Sequence, residues 1–314
     1  MNERTLEYRG KHFIIPEVSA TGTTIVPRTT TTPKVPNNSP VIRALNKTWD
    51  LAEFGIARLP VSLGIIPLDE QALFQKQGIA PRILDMPIKF PGSHFRVPKE
   101  FAQFLPVIQR VADYEMLINP DCYDEYYCYL TVEHGEVEAG ELQREAPAHV
   151  DGFQGARWNP KVRNNHTYTV GDVLPTVYYE QPFAVDHLDD TKHDFFFDFN
   201  RQIAVTKSKF AWRPLPFELT MMDCYSVHRG DEAPKRMYRT WLRLSFEVRI
   251  FDRLGNAHNP MFAYDWPMVE RDIEALHLVP FDTRVDPSLN VFPWQSLDGT
   301  PLSKGSPKTK PKLT

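Results

Sequence analysis

From Tyr238 to Ile250 apolar and polar positions alternate without a break. Thr240, Leu242, Leu244, Phe246, Val248 and Ile250 make one face; Arg239, Trp241, Arg243, Ser245, Glu247 and Arg249 make the other. A period of two sustained over this length predicts a long strand. Tyr126–Glu133 is aromatic and β-branched and ends before Gly135, and it predicts a second strand. Thr176–Tyr179, Phe195–Phe199, Gln202–Thr206 and Leu219–Val227 predict further strands, the last running into His228 and a Gly/Pro turn. Helical patterns lie outside this strand-rich middle. Asp69–Lys76 predicts a short helix with an Asp cap ahead of Glu70, and Glu270–Leu276 another. Between Pro98 and Leu117 the residues Phe101, Phe104, Leu105, Ile108, Val111 and Ala112 share one stripe, with Pro106 placed to kink or split the helix. Many strands at short spacing, with helices kept to the ends, predict a mainly β, jelly-roll-like fold with flanking helices.

Three segments follow from this pattern. Residues 1–48 contain a Thr-, Pro- and Asn-rich stretch from 16 to 48 with no helical period, which predicts an extended or partly disordered arm. Residues 49–299 carry the periodic elements and predict a single domain. Residues 300–314, with Lys304, Lys308, Lys310 and Lys312 among Pro and Ser, predict a flexible basic tail. A net charge of −4 leaves no electrostatic footprint for nucleic acid, and no apolar run reaches the length of a membrane span. Three scattered cysteines, Cys122, Cys128 and Cys224, read as reduced thiols of a cytoplasmic protein.

The chemistry concentrates at Ala148-His149-Val150-Asp151-Gly152. Residues two apart on an extended segment share a face, so an imidazole and a carboxylate point the same way. The pattern needs its context: a chain with 10 His and 21 Asp in 314 residues holds roughly 0.7 His-x-Asp pairs by chance. A second copy, His187-Leu188-Asp189, sits in a polar loop. The first is followed by Gly152 and Gly155, which permit close backbone approach. His228, at the end of a strand, is the candidate third ligand. Two His and one carboxylate on one face of an octahedron, with the other face open, suit Fe(II).

The order His149-x-Asp151, then His228 77 residues on, then Arg239 after 11 more or Arg243 on the same strand, resembles the Fe(II)/2-oxoglutarate-dependent oxygenase superfamily. The resemblance covers about residues 125–252. It implies a double-stranded β-helix (cupin-like) core, an Fe(II) centre on His149, Asp151 and His228, and 2-oxoglutarate and O2 as cosubstrates. Family halogenases carry a small residue where this chain has Asp151, so the resemblance implies hydroxylation, desaturation or cyclisation of a small molecule without halide. The C5 carboxylate of 2-oxoglutarate needs a guanidinium fork. Arg239 has the spacing for it, and Arg243 begins an Arg-x-Ser pattern used by some members. Thr131 and Gln143 are candidates for its C1 carboxylate; Tyr129, Gln154, Arg157 and Trp158 are candidates for a substrate that could be amino-acid-like. Two other readings stay open: a non-catalytic cupin-like protein binding a metal or small molecule, and a zinc hydrolase on the same trio. The arginine-bearing face could equally be the exposed polar side of a sheet. Oligomeric state is open.

Overall fold

The computed structural model describes residues 4–8, 11–15, 21–28, 38–75, 82–141, 148–152, 163–188, 193, 195–253 and 255–266. The Glu270–Leu276 segment and the basic tail lie outside the described residues. In chain order the elements are β1 (Arg4–Tyr8), β2 (Lys11–Ile15), β3 (Gly22–Ile25), α1 (Pro40–Arg43), β4 (Val61–Ile65), α2 (Leu68–Phe74), β5 (Ile83–Lys89), β6 (Phe95–Pro98), α3 (Leu105–Ile118), α4 (Cys122–Glu125), β7 (Tyr127–Val137), β8 (His166–Gly171), β9 (Val177–Tyr179), α5 (Phe195–Val205), β10 (Ala211–Trp212), β11 (Glu218–Asp223), β12 (His228–Arg229) and β13 (Met237–Glu247).

The fold is mostly β. A six-stranded antiparallel sheet runs in the order β4-β11-β8-β13-β7-β5, and a three-stranded sheet in the order β10-β9-β12. His149 extends the smaller sheet through an antiparallel bridge to His228. The long alternating segment is β13, paired between β8 and β7 in the interior of the large sheet, and the two sides of its pleat meet different surroundings. Leu242, Leu244 and Phe246 pack with Leu130 and Val132 of β7, Tyr168 and Val170 of β8, and Phe101, Phe104, Ile108 and Val111 of the helical layer. Each such side chain contributes about 1.5–3 kcal/mol through burial, which fixes the strand's register. The opposite side carries the arginines. Arg239, Arg243, Ser245 and Glu247 are buried there, so this is an interior polar face and not an exposed one.

Pro106 splits the stripe as expected: a 3-10 turn over Lys99–Phe104 gives way to α3, with the proline in its first turn. Buried Glu115 of α3 pins the helix to the sheet. It accepts hydrogen bonds from Tyr168 Oη at 2.7 Å and Asn119 Nδ2 at 2.7 Å, and its Oε2 lies 2.9 Å from His166 Nε2. His166 is therefore a buried strand residue.

Other expectations are corrected. Phe195–Phe199 and Gln202–Thr206 are not strands: α5 runs through both. Phe195, Phe199 and Ile203 recur every four residues and are its buried apolar positions, so a helical stripe was concealed in an aromatic run that also suits a strand. A short helix, α1, interrupts the arm, started by Pro40 at its first turn, while Gly22–Ile25 is extended and pairs with β6. Asp69 does not cap α2; Pro67 precedes the helix and Asp69 lies inside its first turn. β7 continues past Gly135 to Val137, and the Leu219–His228 segment breaks after Asp223 into β11, a turn and β12. No helix among the described residues is long and apolar enough to cross a membrane.

Candidate metal centre

Between the two sheets lies a cavity of about 200 Å³. The large sheet lines it with Thr131 and Glu133 of β7, Thr169 of β8, Met222 of β11, and Trp241 and Arg243 of β13; the small sheet adds His149, His228 and Arg229. Asp151 joins them, and one ligand atom from each of His149, Asp151 and His228 lies within 4.8 Å of the others. Among the described residues this is the group of His, Cys, Asp or Glu side chains assembled closely enough to hold a metal ion. The second His-x-Asp copy is unlike it: His187 is 40 % exposed beside a solvated Asp186, and Asp189 lies outside the described residues.

Local structure explains the convergence. His149 and His228 exchange both backbone hydrogen bonds, N–H to O at 2.8 and 2.9 Å, which holds their rings 4.6 Å apart. The carbonyl of Ser226 can only accept, so the 2.9 Å contact to His228 Nδ1 places the proton there and makes Nε2 the ligating nitrogen. The turn that carries Ser226 is itself tied down. Asp223 accepts from Ser226 Oγ at 2.7 Å and from the Tyr225 N–H at 3.2 Å, and its other oxygen is paired with buried Arg58. Arg58 also reaches Glu53 at 2.9 Å. On the other ligand strand Asn200 of α5 clamps Ala148, accepting from its N–H at 3.1 Å and donating to its carbonyl at 2.9 Å. Phe196 of the same helix packs edge-on against His149.

Gly152 has φ +80°, and a Cβ there would sit 1.9 Å from Asn165 Oδ1. Gly152→Ala should therefore cost about 1–2 kcal/mol in backbone strain alone, with the displaced buried Asn165 adding to it. Because the turn directly follows Asp151, the variant should melt earlier and bind Co(II) more weakly than the wild type. Unchanged melting and unchanged titration would show that the turn absorbs a side chain.

The two arginines differ in their partners. Both guanidinium groups lie over Trp241, at 5.6 Å for Arg239 and 5.9 Å for Arg243. Arg243 is neutralised: Nη2 donates to Asp85 Oδ1 at 2.8 Å and Nη1 to Asp151 Oδ2 at 3.3 Å. Burial alone would lower its pKa, but the two carboxylates overcome this and raise it. Arg239 donates Nε to the carbonyls of Val173 and Leu174, each at 3.0 Å, while its buried Nη1 has no hydrogen-bond partner. Burial pulls its pKa down to about 9, against weaker support from Asp172 and Glu133. It is charged at neutral pH and, among the described residues, forms no ion pair with a carboxylate.

Thr131 lines the cavity, as its candidacy requires, and bonds Asp85 at 3.0 Å. Tyr129 is placed elsewhere: it stacks on Phe251 at 4.2 Å, and its hydroxyl bridges the Arg249 carbonyl and the Phe251 N–H, away from the cavity lining. Gln143, Gln154, Arg157 and Trp158 lie outside the described residues. Arg249 pairs with Glu247 at 2.7 Å. Asp85, Ser226, Asp223 and Asn200 escaped the sequence reading. Only Asp85 had a visible signal, a carboxylate inside the apolar run Ile83-Leu84-Asp85-Met86.

No family model and no curated protein matches the chain. Solved structures similar to it include EctD from S. alaskensis in its apoform, at 14 % identity over 80 % of this chain and 92 % of that one, with a TM-score of 0.36. Another is an oxidoreductase of the 2OG-Fe(II) oxygenase family from Burkholderia pseudomallei, at 11 % over 60 % and 78 %, TM-score 0.31. A third is EvdO2 from Micromonospora carbonacea var. aurantiaca complexed with 2-oxoglutarate, at 12 % over 60 % and 94 %, TM-score 0.30. These likenesses are distant, and the chemistry rests on the chain's own residues. In its mostly β fold and in the His-Asp-His trio it assembles, the chain resembles the Fe(II)/2-oxoglutarate oxygenases.

Proposed function

We propose that this protein is an Fe(II)/2-oxoglutarate-dependent dioxygenase that oxidises a C–H bond of a small molecule. The observation that carries the reading is the trio His149, Asp151 and His228, converging on the wall of an interior cavity with His228 held in the ligating tautomer. Two neutral imidazoles and one carboxylate fit a borderline divalent ion and leave coordination positions for a chelating cosubstrate. When bound, Fe(II) would activate O2, the oxidant, with 2-oxoglutarate giving up two electrons as it leaves as succinate and CO2, to supply the power to oxidise an unactivated C–H bond. The chain's own residues bind, orient and exclude water.

In this reading Arg239, which flanks the lining residue Trp241 and does not itself line the cavity, is the anchor for the C5 carboxylate. Its buried, unpartnered Nη1 and its lowered basicity are both relieved by an incoming carboxylate, whereas Arg243 already holds two. Thr131, Thr169 and Thr176 provide hydroxyls along the wall, and Arg229 suits a substrate that carries a carboxylate.

Anaerobic addition of Fe(II) and 2-oxoglutarate should produce a visible charge-transfer band. Arg239→Gln should raise the 2-oxoglutarate concentration needed for half the band about 10- to 100-fold, as loss of a charged hydrogen bond worth about 1.5–3 kcal/mol requires. No band with iron-loaded wild type would sink the dioxygenase reading in favour of a cupin-like binding protein. A band with unchanged midpoint in the variant would move the anchor away from Arg239.

A further inference from the structure

β5 and β7 pair with a break in register: Ile83 faces Val132 and Met86 faces Leu130, so β5 holds one residue more than its partner. The bulge places Asp85 at φ +44°, a left-handed conformation uncommon for a residue other than glycine. Its amide does not complete the ladder but donates to Thr131 Oγ1 at 3.1 Å. The re-aimed carboxylate is 6 % exposed and accepts from Thr131 Oγ1 at 3.0 Å and Arg243 Nη2 at 2.8 Å. Arg243 then reaches across to Asp151. Backbone strain of this kind persists where surrounding contacts over-determine it, and here they converge on a metal-ligand carboxylate.

We propose that Asp85 is a positioning residue for the metal centre: it supplies the counter-charge that lets Arg243 hold Asp151 Oδ2 without drawing the carboxylate away from the metal. This rests on the dioxygenase reading of the site. Asp85, Arg243 and Asp151 together carry one net negative charge. Without Asp85, Arg243 is an unmatched buried cation with Asp151 as its nearest partner, and it competes directly with the metal for that carboxylate. With Asp85 present, Arg243 orients Asp151 towards one-oxygen ligation, which keeps positions open for the cosubstrate.

Asp85→Asn is the informative variant, because Asn tolerates a positive φ and keeps the shape while removing the charge. In oxygen-free buffer, Co(II) alone is titrated into the full-length apoprotein and followed by its visible absorption, alongside thermal melting. The dissociation constant of Asp85→Asn should rise about 10- to 100-fold, the range for losing an outer partner of a metal ligand. The Asp85→Asn/Arg243→Met double variant, which restores the net charge, should recover at least half of that loss on a logarithmic scale. A purely structural role would lower the melting temperature while the folded fraction bound Co(II) with wild-type affinity, and that result overturns the proposal. So does a double variant no better than Asp85→Asn. Wild-type protein that takes up neither Co(II) nor Fe(II) would instead overturn the dioxygenase reading itself.

Discussion

Single replacement of His149, Asp151 or His228 by Ala should weaken Co(II) binding by more than a hundredfold, beyond the roughly 10- to 100-fold range for losing an outer partner. It should abolish succinate formation from 2-oxoglutarate. Each variant removes one of three donors that lie within 4.8 Å of one another, and two donors cannot define an octahedral face. The histidine variants should remain folded. The strands under both residues are held by backbone hydrogen bonds between His149 and His228, which an alanine retains. Metal titration and circular dichroism on the same preparations check both halves. Wild-type Co(II) affinity in all three variants would place the metal elsewhere.

Asp223→Ala should give the largest loss of stability, about 3–5 kcal/mol, because it removes the fully buried partner of the Arg58 guanidinium and leaves it only the more exposed Glu53 carboxylate. Both side chains of the pair are almost fully buried, at 3 % and 1 % exposure, so solvent screening offers little relief. At about 2–4 °C per kcal/mol for a domain of this size, the melting temperature should fall by roughly 6–20 °C. The variant should also bind Co(II) more weakly, since Asp223 braces Ser226, whose carbonyl orients His228. Replacing both partners with apolar residues, Arg58→Met with Asp223→Leu, should be less damaging than Asp223→Ala, because no charge is left deep in the interior and the released Glu53 carboxylate reaches solvent. A melt of Asp223→Ala within 2 °C of wild type would show that water reaches Arg58.

How much was legible follows from the kind of signal each residue carries. The faces of β13 could be read because a period of two against one packed layer leaves no other register, and Leu242, Leu244 and Phe246 are indeed the core side. His149 and Asp151 could be read as a pair because two residues of extended chain fix their relation. Phe195–Val205 misled because consecutive phenylalanines satisfy a strand and a helix equally. Only packing of Phe199 against Phe54, Phe183 and Phe195 favours the helix. That error had a cost, since the helix brings Asn200 to the ligand strand.

By itself the sequence determined the class of fold, the three candidate ligands and the pair of arginines, because residue type and spacing are local properties and the ligands are chemically distinctive. Only the tertiary structure decided how the arginines divide their work. Asp85 reaches Arg243 across 158 residues, and Arg243 reaches Asp151 across 92. The bulge that aims Asp85 depends on its pairing with β7. Charge compensation of this kind acts through distance in space, and alternation along a strand carries no record of which carboxylate will face which guanidinium.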